Sequence, residues 1–162
     1  SFEGGAISKE EFLAALQPHF FRKKIFKGDL KAAWNALCYA PIPAEHIALL
    51  KNWRKDYRLF LLSNTNALHI QHIRKQSGLF TYQQFLRQFE QVYYSHEIGL
   101  RKPDPAFYLK VLEDHQLEPE ECFFIDDKEE NVLAATELGI HTWHFKPKKD
   151  KMQDLGRRLK SI

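Results

Sequence analysis

Asp126 and Asp127 stand side by side directly after the apolar run Cys122-Phe123-Phe124-Ile125, with Asn131 a few residues on. Two adjacent carboxylates leaving a buried strand repel each other and resist desolvation. A divalent cation removes both penalties, and an oxygen-only donor set favours Mg2+. The competing reading is an acidic turn open to solvent, because Lys128, Glu129 and Glu130 continue the polar run. A second stretch, Gly99-Leu100-Arg101-Lys102-Pro103-Asp104-Pro105, places Asp104 as an N-cap and Pro105 in a first helical turn. Lys102 then lies just ahead of a helix amino terminus, where the helix dipole repels a cation unless an anion lies between them. Lys102 therefore neutralises a phosphoryl group or a carboxylate, or else is a solvated loop lysine. A third stretch, Ser63-Asn64-Thr65-Asn66, sits between an apolar run and a helix. Its hydroxyl and free backbone N–H groups suit a phosphate oxygen, and the same residue types equally make a plain helix cap.

These stretches need elements to hold them. The first part of the chain reads as helices. Ser8 followed by Glu11 fits a capping box, with Phe12, Leu13 and Leu16 at helical spacing. A second helix is expected from about Asp29, carrying Leu30, Ala33, Trp34 and Leu37 and ending near Pro41. A third is expected to begin at Pro43 as a first-turn residue, carrying Ile47, Leu50 and Trp53. From Leu59 the texture changes to short apolar runs alternating with helical stretches. Strands are predicted at residues 59–62, 92–94, 122–125 and 140–145. Helices are predicted through Leu68 and Ile73, from Pro105 to about Glu113, and through Val132 and Leu138, where Gly139 serves as a left-handed cap. Strands alternating with helices predict an α/β fold with parallel pairing, a Rossmann-like sheet. In such sheets ligands bind beyond the carboxyl ends of the strands, where all three polar stretches fall.

Bulk composition narrows the field. The chain has 162 residues, 44% hydrophobic and 28% charged, ordinary for a protein that buries a core. A net charge of +3 is too mild to imply a nucleic-acid partner. The basic clusters at Arg22-Lys23-Lys24 and between Lys146 and Lys160 lack aromatic interleaving. No apolar run is long enough to span a bilayer. Cys38 and Cys122 form no metal or redox spacing, which points to a reducing cytoplasm. Ser1 in place of an initiator methionine suggests a processed or truncated start. His69 and His72 lack a third ligand, and His141 and His144 face opposite sides of a strand. Nothing in the sequence gives an oligomeric state.

The order of the three loops on successive strand ends resembles motifs two, three and four of the haloacid dehalogenase superfamily. Leu61-Leu62-Ser63-Asn64-Thr65-Asn66 is similar to the second motif. Ser95 through Gly99 to Lys102-Pro103-Asp104-Pro105 is similar to the third. Phe124-Ile125-Asp126-Asp127, with Asn131 and Ala134-Ala135 before Gly139, is similar to the fourth. The match covers residues 57–145. The helical segment before it is similar in position and length to the superfamily's small helical cap, giving a cap at 1–55 and a core at 56–162. Phe20, Phe21, Phe26 and Trp34 would form that cap's own core or shape a pocket beneath it.

The resemblance implies a Mg2+-dependent phosphatase of small phosphorylated metabolites. An aspartate attacks the phosphoryl group, and a second, two positions later, serves as acid and base. Ser63 would bond the transferring oxygens, with Asn64, Thr65 and Asn66 binding substrate. Lys102 would stabilise their charge, and Asp126 and Asp127 would hold the metal. The attacking aspartate belongs to an Asp-x-Asp motif on a central first strand, and no Asp-x-Asp occurs in these residues. The expectation is therefore a truncated chain, inactive as it stands. The alternatives are an inactive binding module of the same fold and a metal-independent dehalogenase, against which the Asp126-Asp127 pair argues.

Overall fold

The computed structural model describes residues 1–19, 27–35 and 41–159. Phe20, Phe21, Arg22-Lys23-Lys24, Phe26, Leu37, Cys38 and Lys160 lie outside them. The chain divides into two compact units, Ser1–Gly99 and Leu100–Ile162.

The first unit opens with α1 (Lys9–Leu16), started by the expected capping box. The Glu11 amide donates to Ser8 Oγ at 3.2 Å, and the Ser8 amide donates to a Glu11 carboxylate oxygen at 2.7 Å. Two orphan donors are thereby satisfied reciprocally. α2 (Lys27–Asn35) and α3 (Ala44–Trp53) follow. Pro43 is the N-cap of α3, one position before the expected first turn, and its extended ψ of 138° ends the incoming loop. Leu13 and Leu68 are buried with Phe2, and Phe12 and Trp34 pack against them. Leu13, Trp34 and Leu68 thus reach this core from helices that the periodicity predicts, whereas Ala33 is exposed and α3 buries none of its residues.

β1 (Phe60–Ser63) pairs in parallel with β2 (Gln91–Tyr94), in register from Phe60↔Gln91 to Ser63↔Tyr94. Two helices connect them, α4 (Ala67–Ser77) and α5 (Leu79–Leu86), where the periodicity predicts one. Gly78 divides them at φ +78° and ψ 149°, a conformation essentially reserved for glycine. The buried hydroxyls of Tyr82 and Tyr94, 2.9 Å apart, tie α5 to β2. A short helix, α6 (Ser95–Ile98), follows β2 directly.

In the second unit α7 (Pro105–His115) starts as expected, with Asp104 Oδ1 accepting from the Ala106 amide at 2.9 Å and proline in the first turn. β3 (Phe123–Asp126) pairs in parallel with β4 (His141–His144), from Phe123↔His141 to Asp126↔His144. α8 (Glu129–Glu137) connects them, and Gly139 leaves it at φ +85°. The buried Tyr108 of α7 meets Phe124 edge-on at 5.3 Å and donates its hydroxyl to the Asn131 carbonyl at 2.9 Å. One side chain thereby fastens α7 to both β3 and α8. Trp143 is buried under the Arg158 guanidinium, 4.2 Å from its ring centre, near α9 (Leu155–Leu159). Among the described residues no helix is long and apolar enough to cross a membrane. Each unit is thus a parallel βαβ arrangement, the α/β class that the alternation of elements predicts.

Candidate active site

Ser63 is the last residue of β1, and Asn64, Thr65 and Asn66 carry the chain into α4. The capping work falls to Asn66, whose Oδ1 accepts from the His69 amide at 3.0 Å. Ser63 is therefore not the cap. The loop between them is held by a residue of another segment. Ser95, fully buried, accepts from the Thr65 amide and donates to the Thr65 carbonyl, both at 3.0 Å. A single hydroxyl thus satisfies both backbone groups of a buried residue and fixes the loop against the start of α6. Sequence alone places Ser95 in a motif without giving it this work, because its partner is 30 residues away.

In the second unit Lys102 is not solvated. Its side chain is 9% exposed, and Nζ donates to Asp126 Oδ2 at 2.6 Å. The ammonium also lies 5.3 Å from the centre of the Phe124 ring. Of the two anions that Lys102 can neutralise, the structure supplies a carboxylate. Asp126 ends β3 with its side chain 7% exposed. Its Oδ1 accepts from the Lys128 amide and from Asn131 Nδ2, each at 2.9 Å. Burial pushes the Asp126 pKa up, but the Lys102 charge, its hydrogen bond and the two amide donors outweigh that and hold the carboxyl below its ordinary value.

Asp127 is exposed, while its backbone carbonyl lies 3.1 Å from His144 Nε2. The two neighbouring aspartates therefore differ in environment, and Lys102 already balances the buried one. A carboxylate offers roughly four lone-pair sites. Asp126 uses three on its protein donors, which leaves capacity for one more ligand. Among the described residues no three His, Cys, Asp or Glu side chains gather as a metal cluster. The donor set present is one capacity on Asp126 and the open carboxylate of Asp127. That set fits Mg2+, which is commonly bound through one or two carboxylates and keeps several waters. His69 stacks on Trp34 instead of forming a metal pair with His72.

A buried lysine on a strand-end aspartate, with a second aspartate beside it, is the chemistry of the motifs quoted above. A model of the haloacid dehalogenase-like hydrolases matches residues 7–139. The chain belongs to this family. This haloacid dehalogenase-like hydrolase is 26% identical over 153 residues to the D-ribitol-5-phosphate phosphatase of Bacteroides thetaiotaomicron, covering 94% of the chain and 73% of the relative. A haloacid dehalogenase family enzyme from the same organism, solved in complex with magnesium and inorganic phosphate, superposes at a TM-score of 0.79 with 33% identity, over 94% of this chain and 76% of that one. A haloacid dehalogenase-like hydrolase of Porphyromonas gingivalis superposes at 0.83 with 31% identity, over 98% and 76%.

Proposed function

We propose that this hydrolase is a Mg2+-dependent phosphatase of small phosphorylated metabolites. The observation that carries the reading is the buried Lys102–Asp126 pair with the exposed Asp127 carboxylate beside it. Likeness to a phosphatase of ribitol 5-phosphate, and to a structure holding magnesium and phosphate, supports the same chemistry.

In this reading residues 1–55 form a helical cap and 56–162 the core. The Ser63 hydroxyl donates to an oxygen of the transferring phosphoryl group, and Asn64, Thr65 and Asn66 at the start of α4 hold the others, Thr65 through its hydroxyl because Ser95 takes its backbone groups. Lys102 neutralises charge on the phosphoryl group while orienting Asp126. Asp126 and Asp127 hold Mg2+. The bound ion shields the phosphoryl charge from an attacking carboxylate and stabilises the charge that builds in the transition state. Transfer proceeds through an aspartyl-phosphate that water then hydrolyses. The attacking aspartate is the first of an Asp-x-Asp pair, a sequence that these 162 residues do not contain. Turnover therefore requires that residue from outside them.

The test is turnover by a protein that contains both the Asp-x-Asp pair and these residues. Asp126→Asn should abolish Mg2+-dependent hydrolysis, and Lys102→Ala should lower kcat by about a hundredfold or more. Full activity in Asp126→Asn would remove the metal role from this site.

A further inference from the structure

Asp126 is held at both carboxylate oxygens, and both holds lead back to α7. Oδ2 accepts from the ammonium of Lys102, just ahead of the Asp104 cap. Oδ1 accepts from the Lys128 amide and from Asn131 Nδ2, two groups at the start of α8. Lys128 is the N-cap of α8 but makes no side-chain cap bond, so no cap side chain fastens the turn that grips Oδ1. Tyr108, the fourth residue of α7, fastens it instead, donating its hydroxyl to the Asn131 carbonyl at 2.9 Å.

Packing alone does not call for that hydroxyl. Tyr108 is 2% exposed, and its ring meets Phe124 edge-on at 5.3 Å. A phenylalanine would fill the same space, whereas a buried hydroxyl is unfavourable unless it is hydrogen-bonded. Its bond goes to the residue whose side chain grips Asp126. The ring acts toward the other oxygen, because the Phe124 ring that it braces lies 5.3 Å from the Lys102 ammonium. Once its three donors are placed, Asp126 keeps accepting capacity for one more ligand, and the positions of those donors direct it. Partners that orient a metal ligand without touching the metal commonly tune how tightly it is held.

We infer that Tyr108 is a positioning residue whose hydroxyl sets the Mg2+ affinity of Asp126 and Asp127, acting through Asn131 and not as a ligand. This inference rests on the phosphatase reading, which puts Mg2+ on these two aspartates, and adds a residue outside the three motifs. The experiment is a calorimetric titration of MgCl2 into a protein that contains both the Asp-x-Asp pair and these residues. Tyr108→Phe keeps the ring and removes the hydroxyl. It should weaken Mg2+ binding about tenfold. Val111→Ala, at a buried position of the same helix, loosens packing without removing a hydrogen bond and should leave Mg2+ binding unchanged. Asn131→Ala cuts the side-chain link to Asp126, so in that background Tyr108→Phe should weaken binding by less than about twofold. Three results overturn the inference while the metal reading stands. They are unchanged affinity in Tyr108→Phe, an equal loss in Val111→Ala, and the full tenfold loss of Tyr108→Phe in the Asn131→Ala background. If the unsubstituted protein binds no Mg2+, the phosphatase reading falls and the inference falls with it.

Discussion

Lys102 Nζ lies 2.6 Å from Asp126 Oδ2, and both side chains are less than a tenth exposed. A lysine placed ahead of a helix amino terminus is thereby made stable in two ways at once. The carboxylate offsets the helix dipole, and the ammonium offsets the cost of burying the carboxylate. The pair joins the start of α7 to the end of β3, so one contact both steadies the second unit and shapes its candidate metal site.

Removing one partner of a buried pair leaves the other charge uncompensated. Lys102→Met should therefore destabilise the protein by about 3–5 kcal/mol. Adding Asp126→Asn should recover most of that loss, since the neutral amide still accepts from the Lys128 amide. Urea unfolding of the two single variants and the double variant measures the coupling. Additive losses would mean that the contact contributes little.

The same pair sets a pH dependence. The folded pKa of Asp126 lies below its ordinary value of 3.8, so its contribution to stability is present above that value. It is lost as pH falls below 3.8 and through the lower folded value. Unfolding midpoints of the unsubstituted protein should fall more steeply on acidification than those of Lys102→Met. Parallel pH profiles would contradict the depressed pKa.

Ser95 has no partner within reach in the sequence, yet it satisfies both backbone groups of Thr65. Ser95→Ala should cost about 1–3 kcal/mol for each buried group left unpaired. It should also reduce turnover, because the Ser63 loop loses its brace. Unchanged thermal unfolding would show that the loop is held by other means.

The sequence made some of this legible and concealed the rest for identifiable reasons. Strand positions were predictable to about a residue, because runs such as Phe60-Leu61-Leu62 and Phe123-Phe124-Ile125 are apolar, short and closed by polar residues. Ser8 with Glu11, Asp104 with Pro105, and Gly139 act through neighbours in the chain, so their roles could be read locally. α5 was not expected. Gly78 interrupts the helical pattern, and Phe80 of α5 is 70% exposed, which blurs the apolar stripe. The partners of Lys102 and Ser95 lie 24 and 30 residues away, and spacing alone does not connect them. Spacing alone gives Asp126 and Asp127 the same environment, and so a mutual repulsion that a cation relieves. Asp126 is buried and paired with Lys102 while Asp127 is exposed, so a cation is favoured there by the coordination capacity that remains.

Dependence on Mg2+ follows if Asp126 and Asp127 hold the ion. Hydrolysis of p-nitrophenyl phosphate by a protein that contains both the Asp-x-Asp pair and these residues would be measured after chelation and again after Mg2+ is restored. Chelation should lower the rate by about a hundredfold or more, and Mg2+ should restore it. Hydrolysis that persists at full rate in chelator would contradict that role of the two aspartates.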